Sequence, residues 1–203
     1  MSATIATPMG SPATALPRKR AAQVSARRTS SSGIWVGLFA ITMSFAAFTS
    51  ALVVRAATAD WSHLVLPPIL YVNTLFLLTS SATVEISRRV LLGSEGMRRA
   101  GAWIGISLLL GLAFCFGQYR AWSDLRAQGI YLATNPNSSF FYVLTFMHAL
   151  HVLAGLLALA YLTYRLSARG KTVRRTIFEN TAIYWHFVAA LWLYLFLLCR
   201  AEL

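Results

Sequence analysis

Five runs of about 20 mostly apolar residues dictate what this chain can become. A helix rises 1.5 Å per residue, so a run of that length crosses the ~30 Å hydrocarbon layer of a bilayer. The runs cover 34–54 (IWVGLFAITMSFAAFTSALVV), 66–86 (LPPILYVNTLFLLTSSATVEI), 101–119 (GAWIGISLLLGLAFCFGQY), 139–164 (SFFYVLTFMHALHVLAGLLALAYLTY) and 179–199 (ENTAIYWHFVAALWLYLFLLC). No repeat relates them. The expected fold is all-α: a polytopic membrane protein built as a bundle of five transmembrane helices.

Charge sets the expected topology. The chain is 57% hydrophobic and 12% charged, with a net charge of +12. Soluble domains carry about 25% charged residues. In a soluble protein such basicity would suggest nucleic acid. Here the basic residues cluster between apolar runs, so no nucleic-acid partner is expected and the clusters report topology. Arg18, Lys19, Arg20, Arg27, Arg28, Arg88, Arg89, Arg98, Arg99, Arg165, Arg169, Lys171, Arg174 and Arg175 fall on one side, 14 in all. Arg55, Arg120, Arg126 and Arg200 fall on the other, which makes 4. The positive-inside rule places the N-terminus in the cytoplasm and the C-terminus outside. That arrangement needs an odd number of spans, and five is odd.

Residues 1–33 form a separate basic stretch, rich in Ser, Thr, Ala and Pro, with no acidic residue. It has no apolar core of a secretory signal. It reads as a disordered cytoplasmic tail lying near anionic lipid. The same composition also resembles an organellar transit peptide. Pro67 and Pro68 are expected in the first turn of the second helix, where missing N–H groups are tolerated. Asn137 or Ser138 is a candidate cap for the fourth. Trp61 and Trp122 suit the outer interface. Cys115 and Cys199 lie in apolar runs and form neither a disulfide framework nor a zinc pattern.

Polar residues within the runs are the candidate functional positions, because hydrocarbon penalises them. Glu85 is followed by Arg88 and Arg89 at i+3 and i+4, the spacing of an interfacial ion pair. A proton-carrying role is the alternative. Asn73, Ser80, Ser81 and Gln118 suit helix–helix hydrogen bonds. Glu179 opens the fifth run, where a carboxylate favours the helix N-terminus.

His148 and His151 lie three apart, ~14–18 Å into the fourth helix, and His186 lies ~10 Å into the fifth. Adjacent antiparallel helices can bring His151 and His186 to similar depth. Three imidazoles can hold a metal or a haem iron. They can equally pack against neighbouring helices. Spacing favours the second reading, since helical metal pairs more often use i,i+4 and no carboxylate ligand lies nearby.

HALHVLAG (148–155), followed by ENTAIYWHFVAALW (179–192), resembles the last two helices of haem–copper oxidase subunit III. The family pattern there is H-G-L-H-V-x-x-G, then E-x-x-x-x-Y-W-H-F-x-D-x-x-W. NTLFLLTSSAT (73–83) and GLAFCFGQYRAW (111–122) resemble the family's second and third spans of its five-helix form.

The resemblance covers about 34–199. It implies an accessory subunit that packs against catalytic subunit I, alongside subunit II, in the inner membrane of a bacterium. It implies no haem, copper or other cofactor in this chain, and no catalytic residue. Haem and copper are expected in subunits I and II. Lipid binding, stabilisation of the oxygen-reducing centre and support of proton uptake are the implied roles. His148, His151, His186, Trp185, Glu179, Asn73 and Gln118 then become candidates for helix contacts or a lipid cleft.

Three acidic positions of the family pattern appear here as Met43, Ala121 and Ala189. These departures put in doubt any proton role that those acids carry in the family, while packing and lipid roles survive. A quinol oxidase or a nitric oxide reductase-type complex would suit the sequence equally. A di-haem cytochrome b-type anchor, a transporter and an assembly factor are the competing classes.

Overall fold

A computed structural model describes residues 18–58, 66–92, 96–167 and 174–202, with the side chains of the first helix described from Ser32 onward. Residues 1–17, Trp61, Arg169 and Lys171 lie outside the described residues. The elements are α1 (Arg18–Ala56), α2 (Ile69–Leu92), α3 (Met97–Ala127), α4 (Pro136–Ser167) and α5 (Arg175–Glu202). Each is long and apolar enough to cross a membrane, with the apolar part of α1 being Ser32–Ala56.

The helices extend past the apolar runs, because hydropathy marks only the hydrocarbon segment while helical hydrogen bonding continues into polar sequence. The clearest case is α1. It starts at Arg18, inside the 1–33 segment expected to be disordered. RKRAAQVSARR is rich in Arg, Lys, Ala and Gln, which are strong helix formers. Extending an existing helix avoids the unfavourable nucleation step.

The helix ends follow local chemistry. Pro67 and Pro68 stand just before α2, and their carbonyls accept from Leu70 N and Tyr71 N at 3.1 and 3.2 Å. α4 starts at Pro136, ahead of both proposed caps, Asn137 and Ser138. Asn135 precedes it, and Asn135 N donates to Ser138 Oγ at 3.2 Å, one half of a capping box, while Ser138 N donates to Asn137 Oδ1 at 2.7 Å. α3 ends in a Schellman motif: Gly129 N donates to Arg126 O, and Ile130 N to Leu125 O, both at 3.0 Å. The motif needs a left-handed residue, and Gly129 supplies φ 77°.

α2 packs on α3, α3 on α4, α4 on α5 and α5 back on α2, closing a four-helix ring. α1 lies outside the ring, against α4 and α5. It buries one narrow stripe, Leu38, Phe45 and Leu52, and leaves Trp35, Phe39, Met43 and Val54 exposed.

The ring is held by seams of buried residues alternating three and four apart. On α3 these are Ala100, Ile104, Ser107, Gly111, Phe114, Gln118, Ala121 and Leu125. On α2 they are Asn73, Leu77, Ser80, Val84 and Ser87. A 3.5-residue period is the geometry of left-handed helix packing. Small residues on such seams let backbones approach where apolar driving force is weak.

Candidate functional site

Arg88, Arg89, Arg98, Arg99 and Arg175 mark one end of the ring, the basic end. Trp185 is the centre of the polar architecture. Its side chain is fully buried, with its ring between two backbones. A Cβ on Gly155 of α4 would stand 2.7 Å from Trp185 Cε3. One on Gly111 of α3 would stand 2.9 Å from Cη2. Those two glycines make the slot for the indole. Its Nε1 donates to Ser80 Oγ of α2 at 3.1 Å. One side chain thus touches all three other helices of the ring.

From Ser80 a hydroxyl chain runs between α2 and α3. Ser80 Oγ donates to Ser107 O at 2.8 Å, and Thr83 Oγ1 lies 2.7 Å from Ser107 Oγ. Closer to the basic end, Ser87 Oγ donates to Ala100 O at 2.8 Å. Two turns from Ser80 the other way, Trp192 Nε1 donates to Thr74 Oγ1 at 3.0 Å, and Thr74 Oγ1 donates in turn to Leu70 O at 2.8 Å. Across α3 and α4, Trp122 Nε1 donates to Thr145 Oγ1 at 3.0 Å. Each of these three indole N–H groups is satisfied by a hydroxyl on a neighbouring helix, as low-dielectric surroundings require.

The histidines separate. His148 is fully buried on the α4 seam. Its ring lies 5.1 Å from Trp192 and 5.9 Å from Phe114, centroid to centroid. His151 turns toward α1, with its ring 5.7 Å from Phe45. Its Nδ1 is 2.7 Å from Met147 O. A carbonyl only accepts, so Nδ1 carries the proton. The interhelical bond at this position uses the main chain: Tyr184 OH donates to His151 O at 3.0 Å.

His186 does not turn to His151. It faces α2, where its Nδ1 lies 2.6 Å from Ser81 Oγ. Three apart on a helix has split the α4 pair between two interfaces. Among the described residues no three His, Cys, Asp or Glu side chains converge as a metal site. His148, His151 and His186 thus serve three different contacts: the α4 seam, α1 and α2.

Glu85 lies at the basic end of α2. Arg88 grips it with two bonds, Nε to Oε2 at 2.8 Å and Nη2 to Oε1 at 2.9 Å. Arg89 Nε adds a third at 3.1 Å. His186 Nε2 stands 3.9 Å from Glu85 Oε2. A chain Arg88–Glu85–His186–Ser81 thus joins α2 to α5. Glu179 falls in the second turn of α5, because the helix starts earlier, at Arg175. Arg175 Nε pairs with its carboxylate at 2.6 Å.

Asn73 and Gln118 are buried on α2 and α3. A Cβ on Gly117 would collide with the Asn73 amide, so this glycine is what admits it. Of the positions where acids are absent, Met43 is half exposed on α1, while Ala121 and Ala189 lie in the core. Sequence reading named none of Gly111, Gly155, Thr83, Ser107 and Tyr184 as candidates, although Gly155 and Tyr184 stand within the quoted motifs. The first four sit among apolar neighbours at three-to-four spacing, a signal hydropathy does not register.

Comparison with known proteins identifies the class. The family model for cytochrome c oxidase subunit III matches residues 34–200. The chain belongs to that family, and it is a multi-pass membrane protein of subunit III type.

It is similar to cytochrome c oxidase subunit 3 of Synechocystis sp., with 32% identity over 74% of this chain and 66% of the relative. It is also similar to cytochrome bo(3) ubiquinol oxidase subunit 3 of Pseudomonas aeruginosa, 34% identical over 64% of this chain and 62% of the relative. With cytochrome c oxidase subunit 3 of Bacillus sp. (strain PS3) it shares 28% identity over 81% of each chain. The match to the first two spans slightly under two thirds of their length.

Proposed function

We propose that this chain is an accessory, non-catalytic subunit of a respiratory haem–copper terminal oxidase. It supports the reduction of O2 to water by stabilising the catalytic subunit and holding lipid. The observation that carries this reading is the family match over 34–200 on a bundle whose histidines serve separate helix interfaces. Haem and copper belong to partner subunits I and II, and none to this chain. The complex sits in the inner membrane of a bacterium. The N-terminus and the basic end face the cytoplasm, in line with the arginine distribution. The exposed apolar face of α1 is available to lipid or to a partner helix.

A quinol-oxidising complex is the second reading, favoured by the Pseudomonas relative, which is named as a ubiquinol oxidase subunit. The test is gentle solubilisation of native membranes and purification through a tag on this chain. A larger haem- and copper-bearing subunit should co-purify. Oxygen consumption with reduced cytochrome c or with quinol then separates the two readings. Recovery of the chain with no haem-bearing partner would reject both.

A further inference from the structure

Among the described residues, the fully buried side-chain polar atoms without a hydrogen-bond partner belong to three residues: Asn73, Gln118 and His148. Both polar atoms of each side chain are unpaired. The three come from α2, α3 and α4, and close contacts place them in one layer of the ring. His148 stacks beside Trp192, whose indole donates to Thr74, the residue after Asn73. The Asn73 amide lies against Gly117, the residue before Gln118. Phe114, one turn from Gln118, meets both the His148 and Trp192 rings at 5.9 and 4.8 Å.

An amide or imidazole stranded in a protein interior is strongly disfavoured, and native structures rarely tolerate it. Here six such atoms belong to three side chains brought together inside the bundle. Elsewhere on the same seams, buried serine, threonine and tryptophan groups are paired. The layer also contains small residues, Gly117 and Ala121, beside Gln118.

We propose that Asn73, Gln118 and His148 form an internal water-binding site between α2, α3 and α4. Each amide offers both donors and an acceptor, and a neutral imidazole offers one of each. That mixture matches water, which donates two bonds and accepts two. A buried water typically makes about three bonds. One molecule can therefore join all three helices. It supplies at this layer what the Ser80–Ser107 hydroxyl chain supplies two turns nearer the basic end.

Two measurements on the intact complex test the site. The first is a density map fine enough to show ordered water. A peak within hydrogen-bond reach of at least two of the three side chains is expected. Direct bonds among the side chains with no peak, or an empty layer, would overturn the proposal. The second is apolar replacement: Asn73→Leu, Gln118→Met and His148→Phe, singly and in pairs, with His148→Gln as the polar rescue. A shared water predicts that each apolar single variant dissociates or unfolds several-fold faster. It also predicts pair effects smaller than the product of the singles, and partial recovery with His148→Gln. Unchanged or slower unfolding in the single variants would mean that the groups are dry, and the proposal would fail.

Discussion

Gly155→Ala puts a single methyl group against the side chain that touches every helix of the ring. The new Cβ would lie 2.7 and 2.8 Å from Trp185 Cε3 and Cζ3, and 3.2 Å from Tyr184 Cε1. Carbon atoms in favourable contact sit ~3.5–4.0 Å apart, so α5 must retreat by roughly 1 Å. The indole cannot turn away, because Gly111 bounds the slot on the α3 side. Overpacking of this kind costs ~1–3 kcal/mol.

The retreat also stretches Trp185–Ser80 and Tyr184–His151, bonds of 3.1 and 3.0 Å. Interhelical bonds in membranes contribute ~0.6 kcal/mol each on average. Alanine's better helix propensity returns ~1 kcal/mol. The net expectation is a loss of ~1–3 kcal/mol, a factor of roughly 5–150 in the folding equilibrium. Gly105→Ala is the control, since its nearest neighbour is Thr163 Cγ2 at 4.0 Å. It should be neutral or stabilising by up to ~1 kcal/mol. Unfolding in mixed micelles with rising SDS, followed by far-UV circular dichroism, reads both variants. Equal stability of Gly155→Ala and Gly105→Ala would refute the slot.

Trp192→Phe and Thr74→Val should couple in a double-mutant cycle by ~0.6 kcal/mol, up to about 1.7, because they share one interhelical bond. Additive losses would place that bond elsewhere. Tyr184→Phe should weaken the α4–α5 interface by a similar ~0.6 kcal/mol. His151→Ala should leave that interhelical bond in place, since it ends on the main chain. A Tyr184→Phe variant as stable as the parent would count against the bond. Glu85→Gln should change stability by no more than ~1 kcal/mol, because Arg88 and Arg89 are exposed. A larger loss in the same unfolding assay would assign the Glu85–His186 chain a structural weight that its exposure does not suggest.

The five spans and the family were legible because hydrocarbon thickness and motif spacing act directly on sequence. FMHALHVLAG shows where legibility stops. Both histidines lie on one broad helix face, yet a 3.5-residue seam puts His148 in the core and sends His151 to α1. That choice depends on which helices neighbour α4, which no local pattern encodes. Gly155 closes the HALHVLAG motif, yet its role, like that of Gly111, appears only when Trp185 arrives from another helix. The start of α1 at Arg18 went unread for a different reason: basic and alanine-rich sequence is at once solvent-loving and strongly helical.

The central claim is that this bundle carries no redox centre and serves partners that do. Its most direct test is to purify the complex, separate this chain from the larger subunits in mild detergent, and measure haem, copper and the reduced-minus-oxidised spectrum of each fraction. The account predicts a colourless, copper-free chain, with all haem and copper in the partners. A haem band that stays with the chain and disappears in His148→Phe would contradict it.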